Sequence, residues 1–283
     1  MKRFIIVLAA CLLLAGASVL AGCGAGGDKG GGQGGGQGDG PQGGKLVAAM
    51  ELAYPPFETK DNEGNPTGVS VDIALAIGDF LGCEVEIVDT AWDGLIPSLQ
   101  TGKADFVISS MTITEKRKEE VSFSVPYANA YLAILANKGS GIESIDDLNR
   151  PGMKVAVKTG STGFFYAEEN LSEAEIIGLP DESACVTEVA QGKADGFLYD
   201  QLTIYRNNKN NPDTTSAVFI PFQDVEHWGV AVGKDNAWLL EQIDAFIEEY
   251  HSEGGFDALT EKYLKEEKKA FDEFGFKWFF DLE

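Results

Sequence analysis

Short apolar runs alternate along this chain with stretches whose apolar positions recur every third or fourth residue, and that alternation predicts most of its elements. Residues 46–50, 84–88 and 106–109 read as strands. Between the first two, Val71, Ile73, Ala74, Ile77, Phe80 and Leu81 lie at helical spacing, with Ser70 as the expected N-cap and Gly82 as the stop. Residues 92–101 read as a second helix, on Leu95, Ile96 and Leu99. Tyr54-Pro55-Pro56-Phe57 forces an extended turn, and residues 61–66 make a tight loop. Residues 121–127 are extended, and 131–136 is a further apolar strand.

The pattern then begins again. A short helix over 145–148, a strand at 154–157 and a helix opened by Thr159-Gly160-Ser161-Thr162-Gly163 and running to about Asn170 are followed by a strand at 175–178, a helix over 183–191 and a strand at 196–198. Asp200 opens another helix, and 218–221 reads as a strand. Gly102-Lys103-Ala104-Asp105 before one strand is matched by Gly192-Lys193-Ala194-Asp195 before another. Strands alternating with helices imply βαβ units, and two copies imply two similar α/β lobes rather than a solenoid. Residues 228–232 would return to the first lobe, followed by helices over 237–251 and 256–264. The chain ends in an aromatic tail with Phe271, Phe274, Phe276, Trp278, Phe279 and Phe280, expected to pack on the first lobe, with a partner contact as the alternative.

The amino end lies outside this pattern. Lys2 and Arg3, an apolar stretch from Phe4 to Leu14, and small residues leading to Leu20-Ala21-Gly22-Cys23 have the order of a secretory signal peptide. The ending resembles a bacterial lipobox, which implies lipid on Cys23 and attachment to a membrane; a membrane anchor is the competing reading. Residues 24–44 are mostly glycine with nothing apolar to bury, a tether with a reach on the order of 25 Å.

Charge and cysteines narrow the picture. The formal charge of −23 excludes nucleic acid and anionic membrane surfaces as natural partners. Cys11 leaves with the signal; Cys83 and Cys185 stand apart with no CxxC, so two buried free thiols are expected, with a bridge as the alternative. The two histidines, His227 and His251, lack metal spacing, and no metal or other cofactor is indicated.

The chemistry gathers after the apolar run Phe106-Val107-Ile108. Ser109, Ser110 and Thr112 supply hydroxyls and Arg117 a guanidinium, a set suited to a carboxylate at the carboxyl end of a strand. An ordinary strand-to-helix loop, with Thr114 as N-cap, accounts for the same residues equally well.

Taken together, the motifs resemble the extracytoplasmic solute-binding proteins for polar amino acids that feed ABC transporters. Tyr54-Pro55-Pro56-Phe57, Gly68, Asp72, Trp92, Leu95-Ile96-Pro97-Ser98-Leu99, both Gly-Lys-Ala-Asp copies, 111–117, 123–127, 144–148, 155–162 and 192–200 carry the likeness, over about residues 45–266. The resemblance implies a type II periplasmic-binding-protein fold: two lobes, each a mainly parallel sheet flanked by helices, joined by two crossing segments that bend around a ligand. Lobe 1 would hold 45–131 with 228–283, and lobe 2 would hold 132–227. It implies that Arg117 pairs with the ligand α-carboxylate, helped by Ser110, Thr112 and Thr162, with Ser109 and Ser161 in the same shell. Such a charge-assisted pair contributes roughly 1.5–3 kcal/mol. Asp200 would accept the α-ammonium while capping its helix, and Tyr54 and Trp92 would form aromatic walls. Glu51 falls where the family reads the ligand's distal end, and Lys158 where glutamine binders carry a lysine. Glu51 and Asp200 offset Arg117 and Lys158, so the expected ligand is glutamine or another neutral polar L-amino acid. A cationic ligand follows if Lys158 points to solvent.

The expected partners are therefore a free polar amino acid and the permease of an ABC importer, for a monomer held outside the cytoplasm by lipid on Cys23, with no enzymatic activity. Two alternatives remain at this level. One is a cyclohexadienyl dehydratase-like enzyme with Glu51 as acid–base catalyst; the other is an amino-acid sensor lipoprotein without a transport role.

Overall fold

The structure, a computed structural model, describes residues 44–219 and 221–282. The expected signal peptide, Cys23 and nearly all of the expected tether therefore lie outside the described residues. None of the described helices is long and apolar enough to cross a membrane.

Two five-stranded sheets have the same layout. In the first, the order is Glu84–Asp89, Lys45–Met50, Phe106–Val107, Ala231–Val232, Ser122–Phe123. In the second it is Glu175–Leu179, Lys154–Lys158, Gly196–Asp200, Leu132–Asn137, Thr215–Val218. The first three strands of each are parallel, and the fourth runs against its neighbours. That fourth strand is in each case the segment that has just crossed from the other sheet. The crossings themselves, Ala128–Ala130 and Glu226–Trp228, pair antiparallel with Ala128 opposite Trp228. This is the two-lobed type II architecture expected from the resemblance.

The internal repeat is a repeat of geometry. Asp105 N–H donates to the Val47 carbonyl and Asp105 Oδ2 accepts from Val47 N–H at 2.7 Å. Asp195 makes the same pair of bonds to Lys154, with Oδ2 at 2.8 Å from the Lys154 nitrogen. Gly102 and Gly192, at φ of 67° and 70°, end the preceding helices in the left-handed region that glycine enters without a Cβ clash.

The first core lies between its sheet and the helices Val69–Leu81, Ala237–Ser252 and Gly255–Tyr263, with Ile73, Ile77, Leu239, Ile243 and Phe256 buried. Leu95, Leu99 and Met111 fill the opposite face. In the second lobe, Val157, Ala167 and Leu198 pack on one face, and Ala156, Cys185 and Phe197 on the other.

Several elements differ from the sequence reading. Ser70 is not an N-cap: the helix begins at Val69 after Gly68, without a side-chain cap, and Ser70 Oγ donates to Glu58 Oε2 at 2.6 Å. Ser70 lies one residue inside the helix, and its hydroxyl is turned to the buried Glu58 side chain. The strand after Asp105 stops at Val107 rather than Ser109. The edge strand is Thr215–Val218, earlier than 218–221. The aromatic tail begins with a helix, Lys265–Phe274, which helical periodicity alone did not mark because its sequence is mostly charged. Phe271, Trp278, Phe279 and Phe280 are buried in the first core, as expected, while Phe274 and Phe276 reach Phe219 of the second lobe. Both described thiols are free, with Cys185 buried and Cys83 only half-buried.

Candidate functional site

Every strand end that the sequence pointed to opens on one cleft between the sheets. Glu51, Tyr54, Trp92, Ser109, Ser110, Thr112, Arg117, Ser161, Thr162 and Asp200 all line it. Lys158 stands behind Glu51 and makes an ion pair with it, at 3% exposure for the lysine. It does not point to solvent.

On the first lobe, the chain turns sharply after Ile108. Ser109 Oγ accepts from Glu51 N–H at 3.0 Å, tying two strand ends together. Ser110 sits at φ 47°, a backbone conformation that costs a non-glycine residue on the order of 1 kcal/mol. Its hydroxyl donates to Glu58 Oε2 at 3.1 Å. Burial raises the Glu58 carboxyl to about 8 against the bonds from Ser70 and Ser110. Thr114 caps the short helix Glu115–Lys118 by accepting from Arg117 N–H, so the expected capping and the site role of this loop coexist.

Arg117 is buried, with Nη1 on the Thr112 carbonyl at 2.7 Å and Nη2 on the Gly160 carbonyl of the other lobe at 3.1 Å. It makes no ion pair among the described residues. Burial lowers the guanidinium to about 10, opposed by the charge of Glu226. The Trp92 ring lies against both Arg117, at 5.2 Å, and Lys158, at 5.0 Å. Its aromatic surface thus also stabilises the site's two cations.

On the second lobe, the helix Thr162–Asn170 is set against the strand Gly196–Asp200 by Gly163, where a Cβ would meet the Leu198 carbonyl at 2.4 Å. That close approach brings Thr162 beside the strand end at Asp200. Ser161 caps the helix by accepting from Phe164 N–H at 3.1 Å. Asp200 Oδ1 accepts from Leu202 and Thr203 N–H at 2.9 and 3.0 Å, and from the Tyr54 hydroxyl of the first lobe at 2.7 Å. Capping and cleft lining thus coincide in one carboxylate. Burial raises Asp200, and these bonds act against the shift.

Five lining residues escaped the sequence reading: Glu58, Leu132, Tyr199, Glu226 and Trp228. Glu226 and Trp228 alternate along the second crossing strand, so their side chains share a face. The loop at Thr112 pairs with that strand through Ile113 N–H to the His227 carbonyl and Gly229 N–H to the Met111 carbonyl. A glutamate two residues before a tryptophan in a crossing segment was the available signal. Glu58, directly after Pro55-Pro56-Phe57, gave none until Ser70 and Ser110 closed around it.

No group of three metal-ligating side chains occurs among the described residues. The cleft holds a buried guanidinium with no ion-pair partner among the described residues, opposed carboxylates and an engaged cation–anion pair. Residues 46–266 match the bacterial extracellular solute-binding proteins, family 3. The chain belongs to that family. Its extracellular description fits an extracytoplasmic location. Among similar proteins is the probable histidine-binding protein of Neisseria gonorrhoeae, 31% identical over 271 residues, covering 94% of this chain and 97% of that one. The ABC transporter glutamine-binding protein of Bacillus subtilis (strain 168) is 33% identical over 230 residues, covering 79% and 82%. An ancestral arginine-binding protein solved with arginine aligns at a TM-score of 0.73 and 36% identity, covering 79% and 99%. An ancestral amino acid-binding protein, a precursor of cyclohexadienyl dehydratase, aligns at 0.71 and 37%, covering 77% and 94%.

Proposed function

We propose that this member of the family captures a neutral polar L-amino acid, glutamine first, by closure of its lobes, and delivers it to an ABC importer. The observation that carries this reading is the pairing of Lys158 with Glu51. With those charges engaged, Arg117 remains for the α-carboxylate and Asp200 for the α-ammonium. A side chain with its own net charge would have no buried partner at the distal end, which is costly. Tyr54, Trp92, Ser109, Ser110, Thr112, Ser161 and Thr162 complete the site. Lobe limits at 45–131 with 228–283, and 132–227, put the two crossings at the hinge. The chain acts as a monomer, anchored outside the cytoplasm by lipid on Cys23, with 24–44 as its leash.

Calorimetry on the chain, unfolded and refolded to strip carried ligand, against the twenty amino acids tests this. One ligand at micromolar affinity or tighter, about −8 kcal/mol, is the expected result. Arginine or lysine as the sole ligand would reassign the distal end to Glu51 alone. No heat with any amino acid would sink the reading.

A second reading has one observation in its favour. Glu58 lines the cleft with a carboxyl raised to about 8, a proton carrier at neutral pH of the kind a dehydratase needs. Glu51, the catalyst expected for that chemistry, is instead bonded to the Lys158 ammonium. Turnover of prephenate or arogenate by the purified chain would establish the enzyme in place of the carrier.

A further inference from the structure

Glu226 belongs to neither the expected site nor the proposed one, yet it holds the centre of the cleft. Its Oε2 accepts from Thr112 Oγ1 of the first lobe and from Thr162 Oγ1 of the second, both at 2.9 Å. Gln223 Nε2 fixes the other oxygen at 2.8 Å. The backbone that carries Glu226 is one of the two crossings, in register with Ala130 of the other. A carboxylate on the hinge is therefore bonded by one hydroxyl from each lobe.

A threonine hydroxyl has a single proton to donate and two lone pairs. With both protons directed at Glu226, neither Thr112 nor Thr162 has a hydroxyl donor left for a ligand carboxylate. What they present to the cleft is acceptor oxygen. Carboxylate recognition then falls to Arg117, whose two bonds go to carbonyls.

We propose, on the basis of the amino-acid reading above, that Glu226 is a specificity residue: with Asp200 it reads the ligand's α-ammonium, and it turns the Thr112 and Thr162 hydroxyls from carboxylate donors into ammonium acceptors. An ammonium has three N–H donors, and Asp200, Glu226 and the threonine oxygens supply an anionic, acceptor-rich surface for them. The same arrangement disfavours a ligand that has a carboxylate but no α-amino group, because Asp200 and Glu226 then face the ligand with no cation to meet. Since Glu226 meets both threonines only when the lobes are together, recognition of the ammonium is tied to closure.

The rival reading of the same bonds is a tethered competitor. The Glu226 carboxylate would then occupy the place of the ligand's carboxylate and be evicted on binding. The two readings predict opposite effects of its removal.

The test is calorimetry on the full chain, as wild type, Glu226→Gln and Glu226→Asp. The probes are L-glutamine and L-arginine, each beside its α-deamino analogue, 4-carbamoylbutanoate and 5-guanidinopentanoate. The wild type is expected to favour the amino acid over its analogue. Glu226→Gln, of equal size, is expected to weaken the bound amino acid by about tenfold to a hundredfold and to leave the analogue within about threefold. Glu226→Asp keeps the charge but shortens the reach, and should fall between them. Equal losses for amino acid and analogue would mean a structural role only, and tighter binding of the amino acid by Glu226→Gln would establish the competitor; either overturns the proposal, as does an unchanged Glu226→Gln. A wild type silent to these probes and to all twenty amino acids removes the amino-acid reading itself, a result distinct from each of these. Thermal melts of the variants separate lost recognition from lost folding.

Discussion

The two lobes are alike where their strands begin and unlike where they end. At the start, Asp105 and Asp195 make the same two bonds to the neighbouring strand, at 2.7 and 2.8 Å for the carboxylate contact. At the far end, the first strand of one lobe leads into Glu51, while its counterpart closes on Lys158, and the two side chains pair across the cleft. The third strands lead to the hydroxyls of Ser109 and Ser110 in one lobe and to the carboxylate of Asp200 in the other. A repeated scaffold thus keeps the same bonds at its turns, where they are internal to each sheet. Its strand ends face the other lobe, and there identical residues would set like against like.

That contrast is breakable in four ways. Arg117→Ala removes the cleft cation that has no ion-pair partner among the described residues, and should lower amino-acid affinity by about a hundredfold or more, read by calorimetry. A loss under threefold would remove Arg117 from the site.

Next comes the cross-lobe pair. Glu51→Gln and Lys158→Met each leave a charge with little solvent, and each should destabilise the chain by about 3 kcal/mol in denaturant melts. Lys158, with 4% of its side chain exposed against 16% for Glu51, makes Glu51→Gln the costlier of the two. The double variant should recover much of the loss. Strictly additive losses would mean the pair is not coupled.

A pH series sharpens the likeness of the lobes, because each carries a carboxyl raised to about 8. Glu58 and Glu182 both stand at about 8, chiefly through burial, with Asp200 contributing at Glu182. Their folded values lie above the ordinary 4.5, so the folded chain holds the extra protons between about 4.5 and 8. The contribution of these two groups to stability is then greatest below that window and is lost as pH rises through about 8. Glu58→Gln and Glu182→Gln should each flatten the slope of Tm against pH. Wild-type stability that rises from pH 5 to 9 would contradict the assignment.

The smallest effect is expected at the turns. Asp105→Ala and Asp195→Ala should cost about 1–2 kcal/mol each, equally, with ligand affinity unchanged. An inequality beyond about 1 kcal/mol would show that the repeat is one of sequence and not of energetics.

Much of the fold was legible from local pattern. Helix and strand alternation, the duplicated Gly-Lys-Ala-Asp turn and the capping roles of Thr114 and Asp200 depend on neighbours within a few residues or on one adjacent strand. So did the burial of most of the aromatic tail, since Trp278, Phe279 and Phe280 have no polar handle strong enough to keep them in water. The charged helix Lys265–Phe274 was not legible, because it is held by Phe271 against a core built from distant segments. Ser70 misled for a related reason: its partner, Glu58, is set beside it by the turn at 54–57.

By itself, the sequence determined the α/β class, two lobes and ten of the fifteen residues that line the cleft, since strand ends in such sheets converge by topology. Only the tertiary structure decided what those residues bond to. Lys158 meets Glu51 across the lobes, Glu58 is closed off by two serines, and Glu226 draws a threonine from each side. Each partnership joins residues from different strands or lobes. Local spacing carries no information about such pairs, and burial decides whether they stay charged.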